Sequence, residues 1–173
     1  MLAVAAQLDL LACFLAVLTA VGAVFPAFFD LALASGDLCA LLIFRNTASP
    51  GSLTAEELRR RRPASFEDSY ETVRKTFRAF ENVTIVRGVV PDTLEQVKSE
   101  RIAYLSLDMN AAAPEVAAAE YFWPRMVSGA VMVLDDYGWP YHEVQKRELD
   151  AFAARRGVKV LPMPTGQGLI FKP

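Results

Sequence analysis

Three short, nearly uninterrupted apolar runs, residues 38–44, 102–107 and 130–134, constrain this chain more than any other feature. A strand with one wet face alternates apolar and polar side chains, whereas a strand covered on both faces stays apolar throughout. Patterns of helical period lie between the runs. Phe66, Tyr70, Val73, Phe77 and Phe80 recur at spacings of three and four and predict an amphipathic helix over 65–80. Residues 91–98 open with a proline suited to a first helical turn, and 114–123 are rich in alanine. Residues 141–156 end on Arg155, Arg156 and Gly157, the order expected where a helix stops. A short β-branched strand is predicted at 83–86, stopped at Gly88. Ser128 and Gly129 read as the turn into the run at 130–134. Apolar strands alternating with helices predict an α/β fold with a doubly wound, mostly parallel sheet. Residues 158–161 and 168–171 flank Pro164, Thr165, Gly166 and Gln167 with no helix between them, which predicts a C-terminal antiparallel hairpin at one edge.

At 173 residues, 53% apolar and 22% charged, the chain is about one domain long and too rich in core formers to be disordered. A formal charge of −2 provides no basic field for nucleic acid. The charges are unevenly spread. Residues 1–44 hold only Asp9, Asp30 and Asp37 and no Lys or Arg, so the chain divides into an apolar helical segment (1–44) and an α/β domain (45–173). Residues 10–29 carry no charge, and at 1.5 Å per residue such a helix reaches across a hydrocarbon core of roughly 30 Å. Asp9 and Asp30 are poor membrane anchors, and the absence of a preceding Lys or Arg argues against a secretory signal. Two readings follow. One is a cytoplasmic protein whose first segment is a buried or oligomer-forming helix; the other is a protein anchored in the membrane through 10–29. Cys13 and Cys39 sit among apolar residues without metal-ligand spacing and read as small buried hydrophobes.

Residues 46–52 are a loop by composition, after which Thr54 and Glu57 have the spacing of a capping box. Arg59, Arg60, Arg61 and Arg62 suit a solvated helix end, with anion binding as the other reading. Two of the apolar strands end in acids: Asp108 after 102–107, and Asp135 with Asp136 after 130–134. In an open parallel sheet, ligands bind outside the carboxyl ends of the strands. If these two strands are neighbours, three carboxylates converge on one rim, a donor set that a hard cation such as Mg²⁺ satisfies. The alternative is that each Asp caps the loop or helix that follows it.

These acids also bring a family resemblance. Residues 82–173 resemble the C-terminal half of the macrocin-type sugar O-methyltransferases, within the class I S-adenosylmethionine-dependent methyltransferases. The matching pieces are Gly88-Val89-Val90-Pro91-Asp92-Thr93-Leu94, the strand running into Asp108 and Asn110, and Trp123-Pro124-Arg125-Met126-Val127-Ser128-Gly129. They continue through Asp135-Asp136-Tyr137-Gly138 to Gly166-Gln167-Gly168-Leu169-Ile170. Residues 46–70 match more loosely. The resemblance implies a Rossmann-like fold and transfer of a methyl group from S-adenosylmethionine to a hydroxyl of a sugar or natural-product-like small molecule. It further implies a Mg²⁺ held by Asp108, Asp135 and Asp136, with Asp108 as proton acceptor.

On the same basis Asn46, Gly88 and Asp108 fall at the cofactor and Asn110, Tyr137 and His142 at the substrate. His142, the only histidine, has a surface position at a helix N-terminus as its other reading. Trp139 and Tyr141 are either a substrate wall or loop aromatics packed on the helix. Asn110 stands where the family often has a second Asp, and Asn46 stands near the place of the acid that usually holds the ribose hydroxyls. Residues 1–40 carry no Glu-x-Gly-x-x-x-Gly turn. The alternative function is a non-catalytic remnant of the same fold, an oligomeric or membrane-associated binding module.

Overall fold

The computed structural model of the chain describes residues 2–7, 39–44, 54, 55, 57, 70–79 and 83–173. The described strands form one mixed sheet. They are β1 (Leu2–Gln7), β2 (Cys39–Phe44), β3 (Val83–Arg87), β4 (Ile102–Asp108), β5 (Met126–Leu134), β6 (Leu161–Pro162) and β7 (Gly168–Phe171), in the spatial order β3-β1-β2-β4-β5-β7-β6. The described helices are α1 (Tyr70–Phe77), α2 (Ala112–Phe122) and α3 (Glu143–Arg155), with 3₁₀ turns at Leu94–Gln96 and Trp123–Arg125.

The α/β class and the C-terminal hairpin agree with the sequence reading, but the mostly parallel sheet needs correction. Among the described strands only β2–β4 and β4–β5 run parallel. β1 is antiparallel to both of its neighbours, and β7 lies antiparallel between β5 and β6. Apolar continuity reports cover on both faces and not strand direction, so β5 and β7 are both buried although they run in opposite senses. The strand at Leu2–Gln7 is not predicted by the sequence, because an alanine-rich stretch leading into a long apolar run also suits a helix. The expected helix or membrane span at 10–29, the loop at 46–52, Asn46, Cys13 and the arginines at 59–62 lie outside the described residues. No helix among the described residues is long and apolar enough to cross a membrane.

Two local readings change. Residues 91–98 form turns and one 3₁₀ turn in place of an α-helix. The Thr93 N–H and hydroxyl both donate to Val89 O (3.1 Å each), which closes the segment before a regular helix is nucleated. Ser128 and Gly129 lie inside β5 as an exposed irregularity. Between the Ile102–Met126 and Tyr104–Val131 pairs, β5 holds four residues against one on β4. Such an excess bends a strand, and Gly129 accommodates it at φ +83°.

The core lies between the sheet and helices α2 and α3. Leu105 and Leu107 of β4, Met132 and Leu134 of β5 and Ile170 of β7 meet Phe122 of α2 and Leu149 and Phe152 of α3. Phe122 and Phe152 are wholly buried, and truncating either to Ala would cost about 3–5 kcal/mol. Alternate residues face the other way. Val131, Val133 and Leu169 form a second cluster joined by Tyr104 and Met163. Gly157, at φ +69°, ends α3 in the left-handed conformation that favours glycine, as the Arg-Arg-Gly sequence predicts.

Candidate functional site

The alternation of side chains along β4 places its terminal acid. Leu105 and Leu107 point into the core under α2 and α3, so Tyr104, Ser106 and Asp108 share the opposite face. Tyr104 pairs with Val131 and Ser106 with Val133. One residue beyond the Leu107–Leu134 pair, Asp108 and Asp135 end parallel neighbours on the same face, and the Asp135 N–H donates to Leu107 O (3.0 Å). Asp136 follows. Asp108, Asp135 and Asp136 are all half-buried, and each offers a carboxylate oxygen within 4.8 Å of the others. Carboxylates this close repel one another unless a cation or a proton intervenes. Three hard oxygen donors fit a divalent cation of the Mg²⁺ class. The strand-end Asp residues therefore converge as the sequence suggested.

Residues from distant parts of the chain hold the site in shape. Asn110, at φ +53° in the left-handed conformation that Asn tolerates, donates from Nδ2 to Asp108 Oδ1 (3.2 Å). Gln167, in the turn between β6 and β7, donates from Nε2 to Asp135 Oδ1 (3.1 Å). That turn is joined to the loop after β5 by a 2.6 Å bond from the Gly138 N–H to Gly166 O. Glu57 satisfies both ends of a long-range contact. Its Oε2 accepts from the N–H and the hydroxyl of Thr54 (2.7 and 2.9 Å) and Thr54 Oγ1 accepts from the Glu57 N–H, which completes the predicted capping box. Its Oε1 accepts the Ala112 N–H (2.8 Å) at the start of α2.

Behind the acids lies a buried polar network. Glu115 Oε1 accepts from the Met109 N–H (3.1 Å) and from Gln145 Nε2 (3.0 Å). Gln145 Oε1 lies 2.5 Å from His142 Nδ1, and His142 Nδ1 lies 3.7 Å from Asp136 Oδ2. Burial pushes the Glu115 carboxyl from its ordinary 4.5 up to about 8; the two hydrogen bonds oppose the shift, and the charges of Asp136 and Asp108 add to it. Tyr104 is also raised, first by burial and further by the Asp135 charge, against a hydrogen bond with Ser106.

The remaining candidate residues fall in different places. His142 caps the start of α3 and is half-buried beside Asp136. The Tyr137 ring is buried, and its hydroxyl is engaged on α3. It donates to Asp150 Oδ1 (2.6 Å) and accepts from Lys146 Nζ (2.7 Å). Burial, then the Asp150 contact, raises Tyr137; the same Asp150 raises Lys146. Trp139 lies against Gly166, while Tyr141 is largely exposed at φ +71°. β3 runs in the same direction as β4, so Gly88 lies on the rim of Asp108, three strand steps or roughly 14 Å away. Gly88 is packed against Thr93.

The sequence reading missed Glu115, Gln145 and Gln167, and in Glu57 saw only the cap. A buried charge in an apolar helix was the one available signal for Glu115, since such a group is rarely buried without a partner.

With this geometry in view, the sequence profile of the TylF macrocin-O-methyltransferases matches residues 48–164. The chain belongs to the TylF macrocin-O-methyltransferase family. No curated protein matches the chain. All three clustered acids lie inside the matched region, as do Glu57, Asn110, Glu115, His142 and Gln145. Gln167 lies just beyond it. Membership in the TylF family implies S-adenosylmethionine as the methyl donor.

Proposed function

We propose that this TylF-family chain is an S-adenosylmethionine-dependent O-methyltransferase, assisted by Mg²⁺, that acts on a hydroxyl of a sugar or natural-product-like small molecule. The observation that carries this reading is the cluster of Asp108, Asp135 and Asp136 at the carboxyl ends of two parallel neighbours in a methyltransferase-family chain. We read the sheet as a Rossmann-like core, in which the ends of β2, β3 and β4 share the rim where ligands of open α/β sheets bind.

The three carboxylates would hold the cation, which when bound supplies Lewis acidity and a fixed position to the substrate hydroxyl. S-adenosylmethionine supplies an electrophilic methyl group, so the chain's own work is to position the acceptor oxygen and remove its proton. Asp108 takes that proton, because Asn110 beside it has no basic carboxylate. Asn110 keeps Asp108 oriented through Oδ1, as Gln167 orients Asp135. Asn110 and His142 face the acceptor from the loops after β4 and β5. Tyr137 contributes by anchoring the second of these loops to α3. Gly88 would bound the cofactor's part of the rim.

Calorimetry and thermal shift with S-adenosylmethionine, with and without Mg²⁺, test the reading. Saturable binding of the cofactor, and methyl transfer that D135N abolishes, are the expected results. No heat and no shift at millimolar cofactor would leave a non-catalytic binding module on the same fold.

A further inference from the structure

We propose that Glu115 and Gln145 form a buried brace that sets the separation of the two carboxylate-bearing loops, making them positioning residues for a divalent cation held by Asp108, Asp135 and Asp136. The inference rests on the cation reading above and extends it to residues that touch no ligand. Glu115 is 2% exposed and Gln145 is 1% exposed, although both project from helices whose other buried residues are mostly apolar. A polar side chain in such a position is destabilising when its hydrogen bonds are not made. Here the bonds are made, and they follow a path. The Met109 N–H, immediately after Asp108, donates to Glu115 on α2. Gln145 on α3 donates to the same Glu115 oxygen. Its other amide atom meets His142, which stands beside Asp136. The path therefore joins the loop after β4 to the loop after β5 behind the three acids.

Apolar packing would hold α2 against α3 equally well, but it would tolerate sliding. Hydrogen bonds fix a distance more sharply, and a metal constellation must be held to within about 0.5 Å. The partners of ligating loops commonly change metal affinity by about 10–100-fold when removed.

The test uses Mn²⁺ as probe, titrated by electron paramagnetic resonance against the full chain as wild type, D135N, E115Q, E115L and Q145L. Gln at 115 keeps an oxygen acceptor, so E115Q is expected to bind Mn²⁺ within about two-fold of wild type. E115L and Q145L are expected to bind at least about ten-fold more weakly while still unfolding cooperatively. In the metal-free protein, hydrogen exchange at the Met109 amide should speed up in E115L and not in E115Q. If E115L does not fold, Q145L and E115Q decide the matter. Wild-type affinity in Q145L, or unchanged Met109 exchange in a folded E115L, overturns the brace and leaves the proposed function standing. Wild-type protein that binds Mn²⁺ no better than D135N overturns the cation reading and the brace together.

Discussion

Gln167 donates from Nε2 to Asp135 Oδ1 at 3.1 Å, across 32 residues of chain. The bond ties the β6–β7 turn to the loop that follows β5. The two segments are already close, since Gly138 N–H donates to Gly166 O, and a Cβ on Gly166 would come within 2.5 Å of the Trp139 indole. The hairpin at the sheet edge thus acts on the site through one side-chain bond.

Removing that donor is expected to weaken cation binding without unfolding the protein. Q167M keeps the length of the side chain and loses the bond, and Mn²⁺ affinity should fall by about ten-fold. Q167E places a carboxylate against Asp135 and should lower the apparent affinity of the site through its effect on Asp135 orientation. Titration of both variants against wild type checks this; equal affinities in all three would remove Gln167 from the site.

The raised Glu115 carboxyl makes stability depend on pH in a definite direction. In the folded, metal-free chain it holds its proton to about 8, whereas the unfolded chain releases it near the ordinary 4.5. The folded state therefore binds more protons between these values, and the stabilisation present below pH 4.5 is lost as pH rises to about 8. Each unit of such a difference corresponds to about 1.4 kcal/mol, so the change amounts to several kcal/mol. Urea unfolding across that window, with a chelator present, should show a downward slope in wild type that E115Q flattens. Parallel curves would mean that Glu115 ionises normally.

Much of this arrangement was legible in the sequence. β4 and β5 announce themselves as apolar runs, their terminal acids mark the rim, and the Thr54–Glu57 box and the Arg155-Arg156-Gly157 stop appear where local chemistry requires them. What local pattern does not encode is direction and long-range contact. Nothing in Leu2–Gln7 distinguishes an antiparallel strand from the start of a helix, because its cover and its partners come from elsewhere in the chain. Glu115, Gln145 and Gln167 owe their roles to contacts spanning 30 residues or more or to bonds with loop backbone, so no spacing rule reveals them. Glu57 was half legible, its local bonds following from capping chemistry and its bond to Ala112 only from the fold.

That second bond of Glu57 leads to a stability prediction. E57A would leave the buried Ala112 N–H without its acceptor and remove the reciprocal contacts with Thr54, a loss of about 1–3 kcal/mol. E57Q should lie between wild type and E57A. Its amide oxygen still serves Ala112 N–H, but its NH₂ group then faces the donors of Thr54. Chemical denaturation of the three proteins gives the order directly, and an E57A as stable as wild type would show that α2 starts without this cap.

Gly88 offers a test of how rigid the far side of the rim is. A Cβ there would lie 2.2 Å from Thr93 Cγ2, and the residue sits at φ +156°, so G88A faces both a clash and an unfavourable backbone conformation. Each contributes about 1–3 kcal/mol in a packed environment. The two contributions separate in a double-mutant cycle. T93S deletes the offending methyl group while keeping the hydroxyl that donates to Val89 O at 3.1 Å. The G88A/T93S protein should therefore recover the steric part of the loss and retain the backbone part, which gives a coupling of about 1 kcal/mol or more between adjacent sites. Strict additivity would mean that the segment between β3 and the 3₁₀ turn moves aside freely, and that Gly88 is needed for its backbone conformation alone.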